Sequence, residues 1–242
     1  MRPMTPPRLW DAVVVGAGPG GSTAANLLAR RGRRVLVLDK AAFPRPHIGE
    51  SLLPGVNAVF ERLGVFRRLE RERFWFKTGG SFIWGRDARP WSTHFVQKAE
   101  VFGYAVDERA TFTWHVDRER FDAILLDEAR RRGAAVRTGV EAVDADARGG
   151  RVRSLTVRGA DGRREVLRAK VFVDASGQAA VLSRLMGWRE PDPQLRSSSL
   201  GAYFTGARFF TGALSSRVFL EALPDGVALW CALAGGRLAV HV

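Results

Sequence analysis

Apolar residues along this chain follow two rhythms. Residues 10–16 (WDAVVVG) and 34–39 (RVLVLD) are nearly unbroken β-branched and aliphatic runs, the pattern of strands buried on both faces of a parallel sheet. Between them, residues 22–31 (STAANLLARR) are rich in good helix formers, with Pro19 where a first helical turn tolerates it and Gly32 where a helix stops. Further helices are predicted at 56–63 (VNAVFERL) and within 115–133. Polar alternation marks 140–147, 151–158 and 164–170 as a meander, a satellite sheet with a turn at 160–162 (ADG). Residues 82–84, 114–115, 200–205, 217–222, 227–233 and 237–242 read as strands of another sheet. This order predicts an α/β protein of two interleaved layers, one taking residues 9–72 and 113–190, the other 73–112 and 191–242.

Composition narrows the classes. The chain has 242 residues, 46% of them hydrophobic, enough for a sizeable core. It contains no run of 18 apolar residues, and its start (MRPMTPPR) lacks the apolar stretch of a secretion signal, so a cytoplasmic protein with a short floppy arm and no stable membrane insertion is expected. A single Cys231 cannot form an internal disulfide or a cysteine-based metal cluster. His47, His94, His115 and His241 are scattered without ligand spacing, so no metal is expected. The net charge of +13 comes from arginine clusters toward the ends of helix-like segments, with few aromatics interleaved. That reads as a solvated, arginine-rich surface with no nucleic-acid partner, and it leaves room for anionic ligands.

The first chemistry lies between the two buried runs. Gly16, Ala17, Gly18, Pro19, Gly20 and Gly21 join strand to helix. In such a turn the first glycine permits the tight bend, Gly18 lets backbone approach a pyrophosphate, and Gly21 allows close packing of helix on strand. The helix start offers N–H groups and a positive dipole end. Asp39, followed by Lys40, ends the second strand where a carboxylate can accept a hydrogen bond from a ribose hydroxyl. These parts, in this order, point to a dinucleotide and do not distinguish NAD from FAD.

Residues 43–54 (FPRPHIGESLLP) make that distinction. Arg45 can neutralise a pyrophosphate, and the backbone near Gly49, Glu50 and Ser51 can approach a flavin edge. Here the sequence resembles the FAD-dependent monooxygenase superfamily, in the group holding flavin-dependent halogenases of the tryptophan-halogenase type and geranylgeranyl-reductase-like enzymes. In that group this segment, including His47 and Ile48, lies along the flavin. Residues 115–133 resemble the family helix that carries an arginine beside the cofactor, Arg118 being the matching position, and residues 171–178 (VFVDASGQ) resemble a later strand whose Asp174 and Gly177 pass near the ADP half. The resemblance implies a Rossmann-like FAD-binding domain of the glutathione-reductase/hydroxybenzoate-hydroxylase type, interleaved with an antiparallel substrate-side sheet. It covers the N-terminal portion of a typical member, so a truncated chain is expected.

Residues 77–84 (KTGGSFIW) are similar to an element that halogenases of this group share. The resemblance implies that Lys77 is catalytic, delivering an electrophilic halogen made from reduced FAD, O2 and halide to an electron-rich aromatic or carrier-bound small molecule. NAD(P)H or a separate flavin reductase would supply the reduced FAD. Burial among Phe74, Trp75, Phe76 and Phe82 would favour the neutral amine such a role needs. Residues 226–236 keep one tryptophan, Trp230, of a two-tryptophan family strand. The alternatives are a monooxygenase or prenyl-chain reductase with a structural Lys77, and an inactive remnant or flavin-binding module.

Overall fold

The computed structural model describes residues 9–86, 89–95, 100–101, 104–105, 108–195 and 197–242. The chain forms two compact units, Met1–Arg45 with Asp122–Leu195, and Pro46–Phe121 with Arg196–Val242.

The first unit is built on a six-stranded sheet in the spatial order Val140–Arg148, Arg151–Gly159, Arg164–Asp174, Trp10–Val15, Val35–Asp39, Ala135–Thr138. The last four strands run parallel. The unbroken apolar runs are explained by burial on both faces. Val14, Val35 and Val37 pack toward Ala17, Ala25, Leu126 and Ala129 of the turn and two helices, whereas Val13, Val15, Leu36 and Leu38 pack toward Leu155, Val157, Leu167 and Leu182. The meander at 140–170 is therefore not a satellite. The Arg164–Asp174 strand is continuous: its first half pairs antiparallel with Arg151–Gly159 and its second half runs parallel to Trp10–Val15. Leu155, Val157 and Leu167, the inward residues of the alternating pattern, complete the core.

The second unit contains a six-stranded sheet in the order Gly201–Thr205, Arg237–His241, Gly226–Leu233, Arg217–Leu223, Gly79–Ile83, Pro90–His94. All neighbours are antiparallel except Arg217–Leu223 with Gly79–Ile83. Residues 114–115 do not join this sheet. Thr113–His115 pairs instead with Trp75–Lys77 in a separate two-stranded ribbon. Cys231, Val218, Leu233 and Ala239 form the sheet's buried centre. The helices Asn57–Leu63 and Phe66–Arg71 close over an aromatic group in which Phe60 meets Phe121 and Phe66 meets Phe112 and Trp114 edge-on or tilted. Among the described residues, no helix is long and apolar enough to cross a membrane.

Candidate active site

In the first unit the glycine turn bends as its residues require. Gly16 has φ +104°, and a Cβ there would lie 2.3 Å from the carbonyl oxygen of Ala175, while one at Gly21 would lie 1.9 Å from the oxygen of Gly16. Both positions exclude a side chain, and the first brings the residues following Asp174 against the turn; Ala175 N donates to Val15 O at 2.8 Å. Gly18 and Gly20 differ: a Cβ at Gly18 meets only Arg45 Nη2 at 3.5 Å, and one at Gly20 meets nothing within 4 Å. The helix Pro19–Ala29 begins here with no side-chain cap, so its first N–H groups and positive dipole end are open to an anion. Arg45 leans against this turn. Its Nη1 lies 3.7 Å from the buried carboxylate of Asp122 and, although buried, makes no hydrogen bond among the described residues. Asp39 accepts one backbone N–H on each oxygen, from Ala17 at 2.8 Å and Ala41 at 2.9 Å, and keeps lone pairs for a hydroxyl. An uncapped helix start, a guanidinium with an unused donor and a partly satisfied carboxylate fit the diphosphate and ribose of FAD.

Two expected residues of this unit have other structural work. Asp174 accepts hydrogen bonds from Ser176, Leu182 and Ser183, and so caps the short helix Val181–Leu185. Gly177 takes φ +62° in the turn before that helix. Lys40 is exposed.

In the second unit, His47, Ile48 and Gly49 are exposed, and His47 Nδ1 lies 2.7 Å from Ile48 O. Arg118 Nη1 donates to Ile48 O at 2.6 Å, and Gly49 takes φ +114° against the same guanidinium. The carboxylate of Glu50 turns inward. It is 2% exposed and is hydrogen-bonded by Tyr203 O–H and by His241 Nε2 at 2.8 Å. Burial and then Glu50 push the Tyr203 phenol well above its usual pKa. Neither Tyr203 nor His241 carries a motif, and they stand far along the chain, so sequence reasoning did not find them. Residues 48–51 line a cavity of about 330 Å³ together with Leu220, Val227 and Leu229.

Lys77 sits in the Trp75–Lys77 strand with its side chain buried, and Nζ donates to Leu52 O at 2.6 Å. Its ammonium lies 5.2 Å from the centre of the Phe95 ring. Of the aromatics expected around it, Phe76 points to the other face of the ribbon, half exposed and stacked on Phe112. Burial lowers the Lys77 pKa to about 8. Thr113 is its cross-strand partner and His115 pairs with Trp75, so all four side chains share one face of the ribbon. His115 is fully buried and its ring nitrogens make no well-formed hydrogen bond among the described residues; burial, followed by the charge of Lys77, lowers its pKa to about 3 against a smaller opposing pull from the Arg217 backbone. Trp230 is half-buried and stacks on Phe219 with ring centroids 4.4 Å apart.

Known proteins resemble this chain in sequence and fold. The chain is 36% identical over 206 residues to the 1H-pyrrole-2-carbonyl-[peptidyl-carrier protein] chlorinase of Pseudomonas fluorescens, an alignment covering 81% of this chain and 45% of that one. Its fold matches the myxobacterial chondrochloren halogenase CndH with a TM-score of 0.83 and 30% identity, covering 98% of this chain and 53% of that chain. The flavin-dependent halogenase CmlS gives a TM-score of 0.84 and 30% identity, with 97% and 41% covered. This chain thus spans less than half the length of the curated relative. Residues 10–227, nearly the whole chain, match the family described as FAD binding domain, and the chain belongs to that family.

Proposed function

We propose that this chain is the FAD-binding portion of a halogenase-type flavin enzyme acting on an electron-rich aromatic or carrier-bound small molecule. In the first unit, Gly18, Gly20, Arg45 and Asp39 would hold the diphosphate and ribose. In the second, the backbone of residues 48–51 would serve the ring system. Bound reduced FAD supplies two electrons to O2. Ring C–H and halide supply two more, and the oxygen atoms leave as water and hydroxide.

The observation that carries this reading is Lys77, a buried amine with one hydrogen bond among the described residues, to Leu52 O, and a pKa lowered to about 8. An amine populated in its neutral form has a lone pair for electrophilic halogen: an N–X bond forms as the X–O bond of the hypohalous acid breaks, and the substrate ring then takes X while its proton leaves. Burial limits hydrolysis of such an N–X species. The pyrrole chlorinase and both halogenase structures support the same reaction class.

The alternative is a monooxygenase or reductase in which Lys77 only ties its strand to residue 52, favoured by that same 2.6 Å hydrogen bond. The test is product formation with reduced FAD and a panel of electron-rich arenes, with and without chloride or bromide. Halide-dependent C–X products that vanish in Lys77→Met establish the proposal; hydroxylated products formed equally without halide overturn it.

A further inference from the structure

The segment at residues 48–50 is held from two sides. On one side, Arg118 Nη1 donates to Ile48 O at 2.6 Å and approaches Gly49 O at 3.4 Å. Its guanidinium stands where a Cβ on Gly49 would be 2.8 Å away. On the other side, Glu50 Oε2 accepts the N–H of Gly49 at 3.0 Å, and Glu50 O accepts Val116 N at 2.8 Å. The carboxylate is itself fixed by Tyr203 O–H on Oε1 and by His241 Nε2 on Oε2, from the strands Gly201–Thr205 and Arg237–His241. Because a carboxylate only accepts, His241 carries its proton on Nε2. Donors from three separate stretches of chain converge on a group that is 2% exposed. Leaving any one of them unpaired there is costly. The anchor also requires Gly201, since a Cβ there would stand 2.5 Å from His241 Nδ1 and 3.1 Å from Ile48 Cδ1.

Resting on the FAD reading above, we propose that Glu50 is a positioning residue: its carboxylate, clamped by Tyr203 and His241, holds the peptide between Ile48 and Gly49 in the left-handed conformation that the flavin meets. The carboxylate itself does not touch the cofactor. The strands Gly201–Thr205 and Arg237–His241 thereby set the geometry of a loop some 150 residues or more before them in the chain.

The experiment titrates FAD into wild-type protein, Glu50→Leu, Glu50→Gln and Gly201→Ala, reading affinity and the visible circular dichroism of the bound flavin. Leu233→Ala, which empties space at the centre of the same sheet, controls for lost stability. Glu50→Leu is expected to bind FAD at least about tenfold more weakly, with an altered flavin band. Glu50→Gln stays within about threefold, because its amide oxygen still accepts from Gly49 and His241 while its NH2 faces the phenol oxygen. Gly201→Ala, which keeps the carboxylate but displaces His241 and Ile48, alters the band as Glu50→Leu does and keeps the test open if Glu50→Leu fails to fold. Leu233→Ala leaves the band unchanged. An unaltered band in both Glu50→Leu and Gly201→Ala, or the same alteration in Leu233→Ala, overturns the positioning role while FAD binding stands. Wild-type protein without saturable FAD binding overturns both.

Discussion

Lys77 Nζ and the carbonyl of Leu52 are joined by a 2.6 Å hydrogen bond, so the candidate catalytic amine is tied to the loop expected along the flavin. The bond satisfies one of three ammonium protons in a site otherwise closed to water. Burial therefore lowers the pKa to about 8. The folded value lies below the unfolded one, so folding is penalised in full below pH 8, and the penalty fades as pH rises from 8 toward 10.5. On the proposed function, Lys77→Met loses halogenation and retains FAD binding; independently of it, the variant is expected to gain roughly 1–3 kcal/mol of stability at pH 7. Urea melts across pH 7–10.5 read this: a gain that fails to shrink with rising pH would place the amine's proton balance elsewhere.

The glycines of the first turn separate folding from binding. Gly21→Ala forces a Cβ to 1.9 Å from a backbone oxygen that cannot withdraw without breaking the strand end. A loss of more than about 4 kcal/mol is expected, seen as insoluble or molten protein. Gly18→Ala meets only the flexible tip of Arg45 at 3.5 Å and has an ordinary φ of −67°. Its melting curve should match wild type within about 1 kcal/mol, while FAD affinity falls at least about tenfold because the added methyl stands where the diphosphate must approach. Equal losses in both variants would deny Gly18 its role at the phosphates.

How much of this was legible in the sequence follows from the range of each interaction. The strand, glycine turn, helix and second strand at residues 10–39 are local, each signalled by its own periodicity, and they fold as read. The pairing of Thr113–His115 with Trp75–Lys77 was not legible, because three-residue strands carry no period and nothing in either segment names its partner. Pro90–His94 was missed for a related reason: an exposed edge strand shows no hydrophobic alternation and opens on proline. Glu50 lies in a motif that suggested a cofactor contact, but the partners that turn its carboxylate inward stand 153 and 191 residues away.

Arg45 stands between Asp39 at 4.0 Å and Asp122 at 3.7 Å, with Asp122 fully buried. Arg45→Ala removes the cation from beside two carboxylates and from the uncapped helix start. FAD affinity is expected to drop roughly 10–100-fold, the value of one or two charge-assisted hydrogen bonds. Added salt should weaken FAD binding to wild type more than to the variant, since the screened attraction is the one removed. Isothermal titration at two ionic strengths decides it, and parallel salt dependences would mean that Arg45 serves only the two aspartates.

His115 makes the acid limit of the fold measurable. Both ring nitrogens are buried without a well-formed hydrogen bond among the described residues, and burial with the nearby Lys77 charge outweighs the Arg217 backbone and lowers the pKa to about 3. The unfolded value is near 6.5, so between pH 6.5 and 3 the unfolded chain binds the extra proton. Stability that is complete above pH 6.5 is lost as pH falls through that window. His115→Leu removes the titrating group and two unsatisfied polar atoms while keeping apolar volume, so it should be neutral or stabilising at pH 7. Its advantage over wild type should widen to several kcal/mol by pH 4. The slope is also a test of neighbourhood: in a Lys77→Met background the cation is gone, and the wild-type acid sensitivity should shrink without vanishing, because burial is the larger cause. Identical acid slopes for wild type and His115→Leu would mean that this imidazole finds a proton partner in solution and that the ribbon face around Lys77 is wetter than its burial implies.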